Sequence, residues 1–273
     1  MGTVSSYLEY PTEYPTEDAV MVSQSAFDKF NWTRDAFDER DVLDEHKVEY
    51  SNRPFTLRHR MPAVLDQGEF GSSTIGAICG AIQYCEEQAG LPPSPRSRLF
   101  IAYVVRNASG KINEDIKYSI RNVIQNINKH GVCLEESWPY DLSQIAACPR
   151  NQCFEIAKNQ KKLIYKRVAQ NMDSIKETIA SGYPIVMGIK IYDSVLLPQV
   201  TKTGNVVMPT ADDKELGGHC MLCCGWNDRK KSFTFMNSFG TEWGSSGFGT
   251  IPYDYVLNKD LTGDLWVITL AEK

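Results

Sequence analysis

The side chain best suited to acid–base chemistry is that of His219. It and a candidate partner, Asn237, lie on two predicted strands near the end of the sequence. A three-residue loop at 227–229 would join these strands and place Trp226 opposite Lys230. In this register His219 lies directly opposite Asn237, with about 5 Å between their Cβ atoms. An amide in that position fixes the tautomer and the orientation of an imidazole, as the third member of a catalytic triad does.

A histidine satisfied within the core, beside an asparagine that forms a turn, is the alternative interpretation of the same pair. The glycines around the pair argue against it. Gly217 and Gly218 precede His219, and further glycines follow Asn237 at positions 240, 244, 247 and 249. So many residues without side chains indicate a close approach of other backbone and therefore a cleft.

A nucleophile for this base is expected at the N-terminus of a helix, where the helix dipole favours an anion. Apolar residues at 75, 78, 81, 82 and 85 predict a buried helix from Ser73 to Gln88. Ser72 or Ser73 as an ordinary N-cap is the simpler interpretation of this start. Gln67, six residues before Ser73, is placed to donate its amide to an oxyanion.

The elements that position these residues are helical first and extended later, which indicates an α+β chain with two lobes. Further helices are predicted at 97–106, 114–129 and 172–181, a helical turn at 27–37, and strands at 163–168, 183–191, 219–226, 232–237 and 266–270. The domain at 54–273 then follows an N-terminal arm, residues 1–53.

The arm differs from the rest of the chain in charge. Twelve Asp and Glu against four Lys and Arg give residues 1–50 a formal charge of −8, which leaves +3 on the other 223 residues. This asymmetry favours an arm that folds back over the body, although a solvated acidic tail explains it equally well. The net charge of −5 argues against nucleic acid as a partner.

The cellular location is predicted from what the sequence lacks. No stretch is long and apolar enough for a transmembrane helix, so no membrane partner is expected. The N-terminus shows neither a basic nor an apolar segment of a secretory signal. We therefore expect an intracellular protein, cytosolic or packaged in a virion, and expect its eight cysteines to be reduced.

The cysteines near His219 resemble a metal cluster, but their spacing argues against one. Cys220 and Cys223 point to opposite faces of a strand and cannot readily ligate the same ion. Buried cysteines that behave as small apolar residues are the better interpretation. Cys148 and Cys153 lie in a predicted loop that begins at Cys133, and whether they pair with each other or bind a metal stays open.

Three motifs in this order resemble the papain-like, cathepsin-like cysteine peptidases. They are Asp-Gln-Gly-Glu-Phe-Gly-Ser-Ser-Thr at 66–74, Gly-Gly-His at 217–219 and Asn-Ser-Phe-Gly-Thr-Glu-Trp-Gly at 237–244. The resemblance covers about residues 32–270 and is strongest to the branch found in bacteria and large DNA viruses. Stretches at 32–41, 58–62, 131–140 and 251–255 also look like that branch.

The resemblance implies a helical lobe and a lobe with an antiparallel sheet or barrel, with the active-site cleft between them. It implies peptide-bond hydrolysis without a metal or cofactor, and an N-terminal segment that lies in the cleft as an inhibitor. Its site would comprise Ser73 at the nucleophile position, His219, Asn237 and Gln67 as catalytic residues, with Gly71, Ser72, Gly217, Gly218 and Trp243 binding substrate or shielding the His–Asn hydrogen bond.

Two positions depart from the family pattern. Ser73 stands where the family has its nucleophilic cysteine, and Phe70 replaces a cysteine of a disulfide. Three interpretations follow: an engineered inactive form of a cysteine endopeptidase, a natural pseudo-peptidase that binds peptides or partners, and a serine peptidase. A serine hydroxyl ionises far less readily than a thiol, which disfavours the third. The retained Gln67, His219 and Asn237 favour the first.

Overall fold

The structure is a computed structural model that describes residues 29–160 and 162–271. The helices are α1 Ser73–Gln88, α2 Arg98–Ala108, α3 Ile120–His130, α4 Asn151–Ala157, α5 Met172–Ala180, α6 Pro198–Thr203 and α7 Tyr253–Leu257. The strands are β1 Phe55–Thr56, β2 Leu163–Arg167, β3 Ile185–Tyr192, β4 Glu215–Asn227, β5 Ser232–Met236, β6 Phe248–Pro252 and β7 Thr262–Leu270. This order confirms the predicted α+β class.

Helix α1 is the central helix, and it has the predicted bounds. It is apolar on all sides and buried along nearly its whole length, as expected of a helix enclosed by protein. It contacts α2 and α3 on one side and strands β3, β4 and β7 on the other. Gly80 permits the closest approach to the sheet, because a Cβ atom there would lie 3.2 Å from the Met236 side chain.

All strand pairs of the sheet are antiparallel, and their order is β2-β7-β3-β4-β5-β6, with β1 added to β4. Strand β4 is the longest and has an almost completely buried centre. Its N-terminal half carries His219 and pairs with β3, where Ile189 lies opposite His219. The sheet therefore holds His219 on a rigid strand that faces the start of α1.

The predicted register of the β4–β5 hairpin was wrong by two to three residues. Trp226 pairs with Phe233 instead of Lys230, and Leu222 pairs with Met236, so His219 and Asn237 are not directly opposite. The loop has four residues, with Lys231 at a φ of 48°. A bulge between Cys223 and Gly225 then reduces the error from three residues to two.

Two predicted helical segments also differ from the structure. Helix α3 starts at Ile120 instead of residue 114. The turn predicted at 27–37 is extended where it is described, with isolated bridges from Asn31 to Gly218 and from Trp32 to Tyr118; residues 27 and 28 lie outside the described residues. Within the described part of the chain, no helix has the length and apolar character to cross a bilayer.

Candidate active site

The N-terminus of α1 meets β4 at Ser73. This residue is fully buried, and its Oγ accepts a hydrogen bond of 3.1 Å from the backbone N–H of Cys220. Because Cys220 directly follows His219, the contact brings the predicted nucleophile position beside the predicted base. Ser73 also lies in the first turn of α1, where the unpaired N–H groups and the helix dipole favour a developing negative charge.

His219 and Asn237 form the predicted hydrogen bond despite their shifted register. The Nε2–H of His219 donates to Oδ1 of Asn237 at 2.8 Å, and the same oxygen accepts from the backbone N–H of Ser238 at 2.9 Å. This fixes the neutral tautomer whose Nδ1 carries a lone pair. Nδ1 is buried and has no hydrogen-bond partner among the described residues, so it is available as a base toward residue 73.

Burial controls the charge of the His219 ring. The pKa of His219 is lowered to about 4: desolvation is the main cause, the hydrogen bond to Asn237 opposes it, and the nearby Lys29 charge adds a smaller lowering. The Phe239 ring lies 4.8 Å from the imidazole and the Phe30 ring 6.0 Å, measured between centroids. Trp243 packs against Phe239 at 5.9 Å, so Phe239 is the aromatic ring in contact with both. The shielding role of Trp243 stays a prediction.

Gln67 lies at the same junction and is held from several sides. Its Oε1 accepts from the Ser238 hydroxyl at 2.6 Å, and its Nε2 donates to the carbonyl oxygens of Phe70 at 3.1 Å and Lys29 at 3.2 Å. The side-chain amide therefore already binds one carbonyl oxygen of a separate chain segment, which is the action required of an oxyanion donor.

That separate segment is residues 29–34, which we call the cleft segment. It runs between β4 and the residues before α3, and its backbone bonds to both. On one side Trp32 N–H donates to Gly218 O at 3.0 Å and Gly218 N–H to Phe30 O at 3.2 Å. On the other side Tyr118 N–H donates to Asn31 O at 2.9 Å and Thr33 N–H to Tyr118 O at 3.0 Å.

The glycines of the sheet allow this close approach. A Cβ atom on Gly188 would lie 2.1 Å from the indole of Trp32, and one on Gly218 would lie 2.1 Å from the Trp32 carbonyl oxygen. A Cβ atom on Gly217 would lie 2.4 Å from the Phe30 carbonyl oxygen. Two of the glycines that the sequence associated with a cleft, Gly217 and Gly218, therefore accommodate the chain's own N-terminal region, with Trp32 only 6% exposed.

Acidic residues fix the chain that follows the cleft segment. The Asp35 carboxylate accepts from the backbone N–H of Arg121 at the start of α3 and from the Trp266 indole N–H at 2.9 Å. Asp41 forms ion pairs with Arg121 at 2.8 Å and Arg167 at 2.9 Å. Partial burial of these groups limits the screening of the pairs by solvent.

Within the described residues, no group of three or more His, Cys, Asp or Glu side chains could hold a metal ion. All eight cysteines are free thiols, and those of β4 are buried among apolar side chains. Phe70, at the position of a disulfide cysteine in the family pattern, is buried instead, and its ring lies 6.4 Å from that of Tyr118.

Sequence reasoning missed three side chains at this site. Ser238 and Phe239 directly follow Asn237, and their position in the chain is the signal that could have identified them. The hydroxyl of Tyr140 contacts Ser72 at 2.7 Å. Tyr140 belongs to a stretch that resembled the family, but no role was assigned to it. Gly71 and Ser72 are buried beside Ser73.

Comparisons with known proteins agree with this geometry. The profile of the Papain family cysteine protease group matches residues 117–259. An uncharacterized peptidase C1-like protein of Acanthamoeba polyphaga mimivirus is 38% identical over 213 residues, which are 75% of this chain and 68% of that protein. The chain belongs to the papain family of cysteine proteases.

Other members of the papain family show how far the likeness extends. Xylellain, a cysteine protease from Xylella fastidiosa, superposes with a TM-score of 0.80 at 32% identity and covers 90% of this chain and 97% of its own. Chicken cathepsin K is 27% identical over 192 residues, 68% of this chain and about half, 53%, of that protein. The digestive procathepsin L 3 of Tenebrio molitor, at 18% identity and a TM-score of 0.67, shares the fold over 90% of this chain and 78% of its own.

Proposed function

We propose that this papain-family chain carries the machinery of a cysteine endopeptidase that acts through a Cys-His-Asn mechanism and is inactive because residue 73 is serine. One observation carries the proposal: the bond from His219 Nε2 to Asn237 leaves Nδ1 buried and unpaired, on a residue whose neighbour Cys220 bonds directly to Ser73. A core histidine would normally have both ring nitrogens satisfied.

With a cysteine at position 73, the reaction proceeds by acyl transfer. The thiol proton passes to Nδ1 of His219, and the thiolate sulfur attacks the carbonyl carbon of the peptide bond. The backbone N–H of residue 73 and the Gln67 amide stabilise the oxyanion. The His219 imidazolium then gives its proton to the leaving amine, and water attacks the thioester in the second half of the reaction, which releases the acid product.

Serine at position 73 removes the first step of this reaction, the formation of a thiolate. A serine hydroxyl does not give up its proton at neutral pH to a histidine whose pKa is about 4. Natural non-catalytic binding of peptides is the second candidate, and the fully buried Ser73 is compatible with it. The retained Gln67, His219 and Asn237 favour the first, because a binding protein has no use for an oxyanion donor and an oriented base.

Restoring the thiol tests this proposal. We expect Ser73→Cys to hydrolyse peptides and to be blocked by iodoacetamide, while the chain with Ser73 stays at least ~10³-fold slower, since the serine lacks the ionised nucleophile. Fluorogenic peptides of varied sequence measure both, and Ser72→Cys is the matched control for a thiol one residue away. A Ser73→Cys form that cleaves none of these peptides, even without residues 1–34, contradicts the proposal.

The cleft segment is the proposed inhibitor of this site. Three observations support this role: the Lys29 carbonyl accepts from the Gln67 amide, the segment bonds to Gly218 directly before His219, and Phe30 covers the imidazole. A substrate backbone that reaches residue 73 needs the same donors and the same space. The arm is therefore a competing internal ligand, and peptides or unfolded proteins are the external partners of the site.

A further inference from the structure

Tyr140 lies beneath the loop that carries Gln67, in a hydrogen-bond arrangement that the proposed reaction leaves unused. Its hydroxyl donates to the backbone carbonyl of Gln67 at 2.9 Å and lies 2.7 Å from the Ser72 hydroxyl. Since a tyrosine has one hydroxyl proton and Gln67 receives it, Ser72 is the donor in the second bond. Burial raises the pKa of Tyr140 to about 12, so the hydroxyl keeps its proton at all working pH values.

Arg98 holds the same loop from the adjacent position. Its guanidinium stacks on the Tyr140 ring, with 3.6 Å between Cζ and the ring centroid. Its Nη1 donates to the Asp66 carbonyl at 2.7 Å, and its Nη2 pairs with Glu135 at 3.1 Å. Two consecutive carbonyls, those of residues 66 and 67, are thus fixed by the first residue of α2 and by Tyr140.

These contacts join the two parts of the oxyanion site. One donor is the side-chain amide of Gln67, and the backbone carbonyl of Gln67 accepts from the Tyr140 hydroxyl. The other is the backbone N–H of residue 73, which is covalently joined to Ser72, whose hydroxyl binds the same Tyr140 oxygen. Ser72 uses its side chain for this contact and makes no side-chain cap on α1, although it occupies the N-cap position.

We infer that Tyr140 is a positioning residue of the peptidase reaction, which sets the spacing between the Gln67 amide and the N–H of residue 73 through its bonds to Gln67 and Ser72. The inference rests on the proposed function. Loss of one oxyanion donor costs about 10²–10³ in kcat in serine peptidases, so a donor that is present but loosely placed should lose part of that. The effect falls on kcat, because the oxyanion forms only in the transition state.

The experiment compares Tyr140→Phe with Tyr84→Phe in the Ser73→Cys chain without residues 1–34. Tyr84 is more deeply buried than Tyr140, and its hydroxyl donates to the Gly182 carbonyl at 2.8 Å, at the far end of α1. We expect Tyr140→Phe to lower kcat about 10-fold or more with KM changed less than twofold, and Tyr84→Phe to change neither. Equal kcat values for both variants would overturn the inference.

Two further readouts separate positioning from a general structural role. Alkylation of the introduced thiol at position 73 by iodoacetamide needs the thiolate but no oxyanion donor, so its rate and pH profile should be unchanged by Tyr140→Phe. In a Gln67→Ala background, Tyr140→Phe should cost less than threefold in kcat. Slower alkylation, or a full additional loss in that background, contradicts the assignment.

Folding and activity of the parent protein decide the remaining outcomes. If Tyr140→Phe does not fold, Ser72→Ala removes the second hydroxyl partner and should show a smaller loss of the same kind, whereas an unchanged kcat counts against the inference. A Ser73→Cys parent that cleaves no peptide contradicts the proposed function and this inference with it. An active parent whose kcat is insensitive to Tyr140→Phe contradicts this inference alone.

Discussion

The imidazole of His219 is buried beneath Phe30 and Phe239, and this burial lowers its pKa to about 4. A cysteine peptidase requires the opposite, since a thiolate at residue 73 is stabilised by a charged imidazolium. Lys29 and Phe30 of the cleft segment contribute to this lowering, so the proposed inhibitor would act on the charge of the site as well as on access to it. Removing Phe30 and Lys29 from the ring returns solvent to His219 and lets its pKa rise toward the ordinary value of about 6.5.

The depressed pKa of His219 makes a prediction for stability. An unfolded chain protonates this histidine below about pH 6.5 but the folded chain only near pH 4, so the contribution is complete above pH 6.5 and is lost as the pH falls toward 4. Asp264 acts in the opposite sense, because burial and then the Asp35 charge raise its pKa to about 6. The difference in the free energy of unfolding between the chain and its His219→Gln variant isolates the contribution of His219.

Denaturant unfolding of both forms measures that difference. We expect the free energy of unfolding of the chain, relative to His219→Gln, to fall by about 3 kcal/mol between pH 7 and pH 4. The contribution of Asp264 is common to both proteins and cancels. Two curves that run parallel over this range would show that His219 is not held neutral by burial.

Asn237 and His219 should differ in what they contribute to the reaction. In the Ser73→Cys form, His219→Ala should abolish turnover, because the proposed base and acid of the reaction is removed. Asn237→Ala should lower kcat about 10- to 100-fold and reduce stability by about 1–3 kcal/mol without unfolding the protein, because two buried N–H donors lose their acceptor. Steady-state kinetics and thermal unfolding check both, and equal activity of the three forms would exclude this triad.

At the scale of elements, the cleft segment is held by the fit of the Trp32 indole against Gly188 of β3, a position without a side chain. Trp32 lies on Gly188 and is 6% exposed, whereas Phe37, five residues later in the same arm, is 93% exposed. Trp32 is therefore part of the docked interface and Phe37 is not. This contrast gives a matched pair of variants.

Trp32→Ala in the full-length Ser73→Cys form should raise peptidase activity. Loss of a buried tryptophan side chain costs about 3 kcal/mol, which weakens docking about 100-fold. Phe37→Ala should leave the activity unchanged. Initial rates on a small peptide measure both, and the prediction fails if the two variants have the same rate or if Trp32→Ala is slower than its parent.

The elements differ in how far they follow from the sequence. Helix α1 is predicted with its bounds, because its apolar period and flanking residues are local. The β4–β5 register is not, because the loop has four residues instead of three and the bulge between Cys223 and Gly225 has no local signal. The His219–Asn237 hydrogen bond forms in spite of this offset. From its sequence the cleft segment is predicted to form a helical turn. It is extended instead, because it pairs with Gly218 and Tyr118, which are distant in sequence.

At the scale of the whole molecule, the charge asymmetry has a structural counterpart. Asp35 and Asp41 of the acidic arm meet Arg121 and Arg167 of the body, and both contacts lie after the cleft segment. The arm is thus anchored beside the site by charge and enters it through apolar contacts. Because these contacts are within one chain, the proposed inhibition would depend on the effective concentration set by this tether and not on the protein concentration.

Removing residues 1–34 from the Ser73→Cys form should raise its activity at least 10-fold, since this cut removes the cleft segment but keeps Asp35 and Asp41 on their partners. Raising the salt concentration to about 1 M should activate the full-length form less than this deletion does, because salt screens the ion pairs but not the contacts of Trp32. Peptide hydrolysis and circular dichroism follow activity and folding. A folded truncated protein with an unchanged rate would show that the arm does not inhibit.

The contact between Gly188 and Trp32 also restricts how this gene can change over generations. A methyl group at position 188 would overlap the indole, so a mutation of that codon is tolerated only if the arm first exchanges Trp32 for a smaller residue or leaves the cleft. The two codons are 156 positions apart but cannot drift independently. In lineages that keep this arm, substitutions at the two positions should occur as a pair, with glycine at one accompanying the large ring at the other.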